Sequence, residues 1–241
     1  MSSTLAHRSI LVTGANRGIG NALVEEALDR GAAHVYAGTR RPWEHPDDRV
    51  TPLWIDVTDT DQIRAAVDRV PSLDILINNA GVALYDALSE REAIDQQLAV
   101  NLFGALEMAR ACLPLLVRSG GAVVNVLSLA ALAAVPAIPG YSLSKAAAFS
   151  MTQSLRAMLA AQGVSVHAVL TGPTDTEMSR GLDLPKASPQ SVAQAILDGV
   201  TLGEEEIFPD VMSRSVAEHW GAGLIKQLER QNAGVVEAAS S

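Results

Sequence analysis

Ser9-Ile10-Leu11-Val12-Thr13-Gly14-Ala15-Asn16-Arg17-Gly18-Ile19-Gly20 is the most informative stretch of this chain. An apolar run of strand length enters three glycines spaced Gly-x3-Gly-x-Gly, and Ile19 to Arg30 follows with helical spacing. Glycine lets a backbone turn sharply and lets a ligand approach it closely. The helix start behind such a turn offers free N–H groups and a positive dipole end to an anion. The unit reads as the opening of a dinucleotide-binding α/β sheet. Its spacing departs from the commoner Gly-x-Gly-x-x-Gly, and any tight strand-to-helix turn uses glycine. Its place after the first strand, at the start of the chain, therefore carries the reading.

Working outward, apolar runs continue to alternate with helix-like runs. Val35 to Ala37, Leu53 to Ile55, Leu73 to Ile77, Ala122 to Leu127, Val164 to Leu170 and Ile207-Phe208 read as strands. Between them, Asp59 to Val70 reads as a helix with Thr58 as N-cap, and Ile94 to Val117 as a long helix bent at Pro114. Lys145 to Ala161 reads as a helix ended by Gly163, and Ser191 to Val200 as one opened by Ser188-Pro189. Ser213 to Gln231 reads as a last helix, and Asn232 to Ser241 as a frayed tail. Such alternation implies βαβ units, hence a parallel sheet with helices on both faces. Strands apolar throughout suit burial on both sides.

The chain has 241 residues, a formal net charge of −9 and 48% hydrophobic residues. That is globular, within reach of one domain, and too acidic to favour nucleic acid or anionic membrane as partners. The single cysteine, Cys112, lies in an apolar helical stretch and reads as a small buried hydrophobe. No Cys/His spacing typical of a metal site appears. Met1 to Arg8 lacks the apolar core of a signal peptide, and the run Leu127 to Ile138 is too short to span a bilayer. The expected location is cytoplasmic.

The second strand ends Ala37-Gly38-Thr39-Arg40-Arg41, with two arginines where an NAD enzyme would place an acid. A guanidinium suits the 2′-phosphate of NADPH. Arg17 lies in reach of the same phosphate, although Arg40 and Arg41 also read as solvated loop charges. Asp56 suits the adenine amine and Val57 the adenine ring; Asp56 reads nearly as well as a plain turn residue. Tyr141 and Lys145 stand four apart on a predicted helix and share a face. A nearby ammonium favours phenolate, so the expectation is a tyrosine pKa lowered from about 10. Ser128, at the end of the fifth strand, suits a donor to a substrate oxygen.

Taken in order, the Thr-Gly-x3-Gly-x-Gly turn, Asn78-Asn79-Ala80-Gly81, Asn101, Ser128 and Tyr141-x3-Lys145 resemble the short-chain dehydrogenases/reductases. The resemblance is to the branch of single-domain carbonyl reductases and alcohol dehydrogenases, over roughly residues 8 to 210. It implies a doubly wound, Rossmann-like sheet of about seven strands in one domain spanning residues 1–241. It implies Ser128, Tyr141, Lys145 and Asn101 as catalytic residues, with Asn101 holding a water in a proton relay through Lys145. For the cofactor, NADPH ahead of NADH, it implies Gly14, Asn16, Arg17, Gly18, Ile19, Gly20, Arg40, Asp56, Val57, Asn79, Ala80, Gly81, Tyr141 and Lys145. Gly172 and either Thr174 or Thr176 complete that set. Here the chain departs from the family's Pro-Gly, because Thr171-Gly172-Pro173-Thr174-Asp175-Thr176 places the proline after the glycine.

Residues 82–85, 129–132, 135–139 and 178–184 are mostly apolar candidates for the substrate side, with Arg180 the lone cation. They favour a small apolar ketone, aldehyde or alcohol. Residues 174–187 correspond to the family's mobile substrate loop. By resemblance the helices at 94–117 and 145–161 pair across a two-fold axis, giving a homodimer or homotetramer. The competing reading is a catalytically silent dinucleotide sensor. A nucleotide-sugar epimerase fits less well, since little chain follows residue 210. An enoyl reductase usually spaces its tyrosine and lysine more widely.

Overall fold

Strand β1 (Ser9–Thr13) lies at the centre of a parallel sheet. It pairs with β2 (His34–Thr39) on one side and β4 (Ile75–Asn78) on the other. With β3 (Val50–Trp54), β5 (Ala122–Val126), β6 (Ser165–Val169) and β7 (Glu206–Ile207) the order is β3-β2-β1-β4-β5-β6-β7. The chain is a computed structural model that describes residues 5–239. Part of the signal-peptide expectation and the last two residues of the tail fall outside that range.

Alternation along β1 sends side chains to both faces. Ile10 and Val12 join Leu23, Val24, Val192 and Ile196 in one buried cluster. These come from α1 (Gly18–Asp29) and α6 (Pro189–Leu202), opened as expected by Ser188, whose side chain accepts from Ser191 N–H. Leu11 points the other way, into a cluster with Ile63, Met108, Cys112, Leu116 and Leu159. These come from α2 (Thr60–Val67), α4 (Ala105–Ser119) and α5 (Pro139–Ala160). The helical stretch Arg91–Ser119 is long and apolar enough to cross a membrane, but it buries Met108, Cys112 and Leu116 in this core. Burial pushes the Cys112 thiol up to about 12, which suits packing.

Several element ends differ from the sequence reading. Thr58 is not the cap of α2: its hydroxyl and N–H both donate to Asp56 Oδ1, and the Asp59 carboxylate accepts from Asp61 and Gln62 N–H instead. The long helix is not interrupted at Pro114, which lies within α4. It departs from α geometry at a π turn, Ala99–Gly104, after α3 (Arg91–Leu98). Gly104 is pressed against Val57 there; a Cβ at residue 104 would stand 2.7 Å from Val57 Cγ2. Helix α5 starts at Pro139, ahead of Lys145, so Tyr141 and Lys145 both sit in its first turns.

The last helix is two helices, α7 (Val211–Trp220) and α8 (Leu224–Ala239). Asn232 to Ala239, expected to be frayed, continue α8. The anchor is electrostatic. Lys226, 2% exposed, stands 2.8–2.9 Å from carboxylates of Glu205, Glu206 and Glu229. Arg156 of α5 pairs with Glu206 and Glu229, and Trp220 Nε1 donates to Glu206. Removing one partner from such a buried cluster leaves uncompensated charge. Lys226→Met is therefore expected to cost about 3 kcal/mol in chemical denaturation, and to expose α8 to limited proteolysis near Gly223.

Candidate active site

The strand order reverses between β1 and β4, and the turns after these two strands meet at their carboxyl ends. Thr13 joins them. Its Oγ1 accepts from the N–H groups of Asn79 and Ala80, each at 3.0 Å, and Asn79 Nδ2 donates to Thr13 O at 2.9 Å. Gly14 and Gly18 have positive φ, which glycine adopts without strain. Gly20 admits no side chain, because a Cβ there would lie 2.2 Å from Gly14 O. Ile19 packs beside the core behind the turn.

Arg17 is the N-cap of α1 and makes no side-chain cap hydrogen bond, and the first turn carries no acid. A cavity of about 630 Å³ opens in front of this helix start. Asn16, Arg17 and Gly18 line it from one side; Thr176, Arg180 and Lys186 line it from the other. Arg17 is paired with Glu177, and Arg180 stands 3.7 Å from the same carboxylate. Arg40 is exposed at the end of β2, 3.8 Å from Asp56. Val57 is buried against Gly104 rather than open to the cleft. Thr174 is buried, with its hydroxyl 3.5 Å from Gly172 O, whereas Thr176 faces the glycine turn at Gly18.

On the other side of the cleft, Ser128 follows β5 and opens a short 3₁₀ turn. Its Oγ accepts from Ala130 N–H at 3.1 Å, which leaves the hydroxyl hydrogen free to donate elsewhere. Tyr141 and Lys145 share one face of α5, with Lys145 Nζ 5.7 Å from the centre of the Tyr141 ring. Lys145 is 5% exposed and donates to Val126 O at 2.9 Å. Asn101, in the π turn, grips Val82 through both its N–H and its carbonyl and donates to Ser144 Oγ, all at 2.9 Å. Gly81 lies between Asn101 and Lys145; a Cβ there would stand 3.3 Å from Asn101 Oδ1 and 3.7 Å from Lys145 Nζ.

The titration of the pair differs from the expectation. Burial holds the Tyr141 phenol above the usual tyrosine range, against an opposing hydrogen bond with Ser128. Burial also depresses Lys145 to about 8. The ammonium that was expected to acidify the phenol is itself desolvated, so the cost of charge in this pocket outweighs the attraction within the pair.

Ser144, Asp86 and Gln97 went unrecognised in the sequence. Gln97 carries a legible signal, an amide four residues before Asn101 on one helical face. Lys186 and Glu177 gave none, because only the folded loop brings them to the glycine turn.

A lysine with a depressed folded pKa binds fewer protons than the unfolded chain between about 8 and its ordinary 10.5. Stability from this group therefore rises with pH across that window and is lowest below it. Lys145→Met is expected to stabilise the cofactor-free protein at pH 7 by roughly 1–3 kcal/mol, fading by pH 10. Denaturation at both pH values checks it.

Comparison with known proteins agrees with this geometry. A family described as short chain dehydrogenase matches residues 8–186. An uncharacterized oxidoreductase of Staphylococcus epidermidis is 32% identical over 206 residues, covering 79% of this chain and 90% of that protein. One from Staphylococcus aureus is 31% identical over 215 residues, covering 83% and 93%. The crystal structure of a short chain dehydrogenase from Burkholderia cenocepacia in complex with NADP is 38% identical, with a TM-score of 0.87 over 95% of this chain and 98% of that one. This protein therefore belongs to the short chain dehydrogenase family of oxidoreductases.

Proposed function

We propose that this oxidoreductase uses NADPH to reduce an apolar ketone or aldehyde to an alcohol, reversibly, with Tyr141 as proton donor. The observation that carries the reading is a half-buried phenol, raised above the usual tyrosine range by desolvation, with Ser128 and Lys145 beside it. A phenol with a raised pKa keeps its proton at neutral pH and can deliver it to an oxygen that is gaining charge. The bound nicotinamide would supply the hydride.

The residues fit that cofactor. Gly14, Gly18 and Gly20 leave open backbone where side chains would intrude, and α1 presents N–H groups without a side-chain acceptor. Arg40 and Arg17 would hold the 2′-phosphate, in exchange for their contacts with Asp56 and Glu177. The NADP complex of the Burkholderia cenocepacia relative supports this choice. Asp56 would meet the adenine, Asn79 to Gly81 the adjoining ribose, and Gly172 and Thr176 the nicotinamide end. Ser128, hydrogen-bonded to the Tyr141 phenol, would turn its hydrogen to the substrate oxygen. Lys145 would bind the ribose hydroxyls, and a water beside Gly81, between Asn101 and Lys145, would resupply the proton.

Tyr85, Val135, Met178, Leu182 and Leu184 are exposed apolar side chains on the substrate-side segments, which supports an apolar substrate. Phe103, Val117, Leu143 and Met158 are exposed on the helices expected to pair between subunits, in keeping with a homodimer or homotetramer.

Tyr141→Phe is expected to lower kcat/KM about 1000-fold while NADPH binding, read by fluorescence titration, stays intact. Retained turnover would reject Tyr141 as the proton donor, whereas NADPH binding without turnover of any ketone by the unaltered protein would favour the silent dinucleotide sensor. Arg40→Asp should weaken NADPH at least about 10-fold more than NADH; equal losses count against the cofactor choice. Across acetophenone, 2-octanone and pyruvate, the two apolar ketones should turn over faster. The raised phenol also sets the pH dependence. Reduction should fall, and alcohol oxidation rise, as pH climbs toward the tyrosine pKa.

A further inference from the structure

Asp86 lies on a loop far from α5 in sequence, yet it serves as the cap that this helix lacks. Ile138, the N-cap residue of α5, makes no side-chain cap hydrogen bond. The Asp86 carboxylate accepts instead from Gly140 N–H, at 3.1 Å to Oδ2 and 3.3 Å to Oδ1. Gly140 directly precedes Tyr141. It has no room for a side chain, since a Cβ there would lie 2.7 Å from both Asp86 Oδ2 and Gln97 Nε2.

Gln97 completes the arrangement. It is 0% exposed, donates to Asp86 Oδ2 at 3.2 Å and accepts from Leu84 N–H at 3.0 Å. Asp86 Oδ1 also accepts from Leu88 N–H at 3.0 Å and holds Leu88 at φ +60°, a conformation that costs a side-chain-bearing residue energy. The segment from Val82 to Leu88 is thus fixed at three places: Asn101 grips Val82, Gln97 grips Leu84, and Asp86 grips Leu88 and Gly140. Two of its large apolar members, Tyr85 and Leu88, are exposed.

We infer that Asp86 and Gln97 are positioning residues, a half-buried clamp that sets the distance between segment 82–88, which begins with the substrate-side candidates 82–85, and the first turn of the helix bearing Tyr141. The inference deepens the proposed reduction and rests on Tyr141 being its proton donor. A phenol displaced by a fraction of an ångström no longer meets the carbonyl oxygen in line, and such misplacement is expensive in rate. The glycine turn and Arg40, which would hold the phosphates, make no contact with the clamp, so cofactor affinity should depend on it far less than turnover does.

The clamp has a polarity that can be reversed. Asp86→Asn turns one acceptor into a donor facing the Gln97 amide, and Gln97→Glu sets two carboxylates face to face. The double variant restores one donor and one acceptor at that contact and keeps the net charge. With acetophenone, or whichever panel ketone turns over fastest, each single variant should lose about 10- to 100-fold in kcat/KM. NADPH affinity should stay within about 2-fold, and the double variant should recover most of the loss. Wild-type kcat/KM in Asp86→Asn, loss that the double variant does not recover, or an equal loss of NADPH affinity overturns the clamp.

Amide hydrogen exchange at residues 82–88 and 140–145 reads the same swap without any chemistry. It should quicken in Asp86→Asn and return to normal in the double variant; unchanged exchange in the single variant overturns the inference. Gln97→Met, close in shape and unable to bond, gives the same reading if Asp86→Asn does not fold. Because exchange is independent of turnover, a failure of the proton-donor reading in Tyr141→Phe stays distinguishable from a failure of the clamp.

Discussion

Two turns approach each other at the carboxyl edge of the sheet more closely than side chains allow, and the site is built around that approach. The chain leaves β1 for one half of the sheet and returns to β4 in the other, so the loops after these strands diverge and leave a crevice. Thr13 binds the two loops through one hydroxyl and one carbonyl. Asn79 Nδ2 would stand 2.6 Å from a Cβ at residue 20, so the amide and the helix start fit together only around glycine. The aim of the α1 N-terminus, the cavity before it and the placing of Gly81 beside Lys145 all follow from this contact.

Burial dominates the electrostatics on the far side of the crevice. An ion pair within the Tyr141–Lys145 couple would need both groups charged in a place where charging either is costly. Burial instead raises the phenol and lowers the lysine to about 8, and Lys145 donates one of its hydrogens to Val126 O. It also makes the pair responsive to whatever enters the cleft, since an arriving positive or negative group changes the cost of charge far more than it would in water.

Much of this was legible in the sequence, and the misses have a common cause. The seven strands and their order of use follow from apolar runs too continuous for a half-exposed sheet, as Ile10-Leu11-Val12 illustrates by sending side chains into both cores. The glycine turn and the Tyr-x3-Lys spacing are local patterns, and local patterns survive in one dimension. Thr58 was misread because its hydroxyl had a better partner in Asp56 than in the helix it precedes. The π turn at Asn101 was not foreseen, because proline is visible in a string whereas the pressure of Val57 on Gly104 is not. The direction of the Tyr141 shift was misread for the same reason: spacing reveals the neighbouring charge but not the loss of water around both groups.

Polar side chains beneath the crevice explain how the site keeps its shape before any ligand arrives. Asn78 Nδ2 donates to Asn125 Oδ1, Asn125 Nδ2 to Thr152 Oγ1, and Thr152 Oγ1 to Ala148 O, which ties β4 and β5 to α5. A parallel set, Asn101 with Ser144 and Val82, ties the π turn to the same helix. Apolar residues could fill these positions at less risk, because a buried amide left unpaired costs about 1–3 kcal/mol. The molecule accepts that risk at Asn78 Oδ1, which is buried without a partner. What directional bonds add is register. A greasy contact tolerates sliding, whereas a chain of amides and hydroxyls fixes the rotation of α5 about its axis. Tyr141 and Lys145 keep their common face only at that rotation.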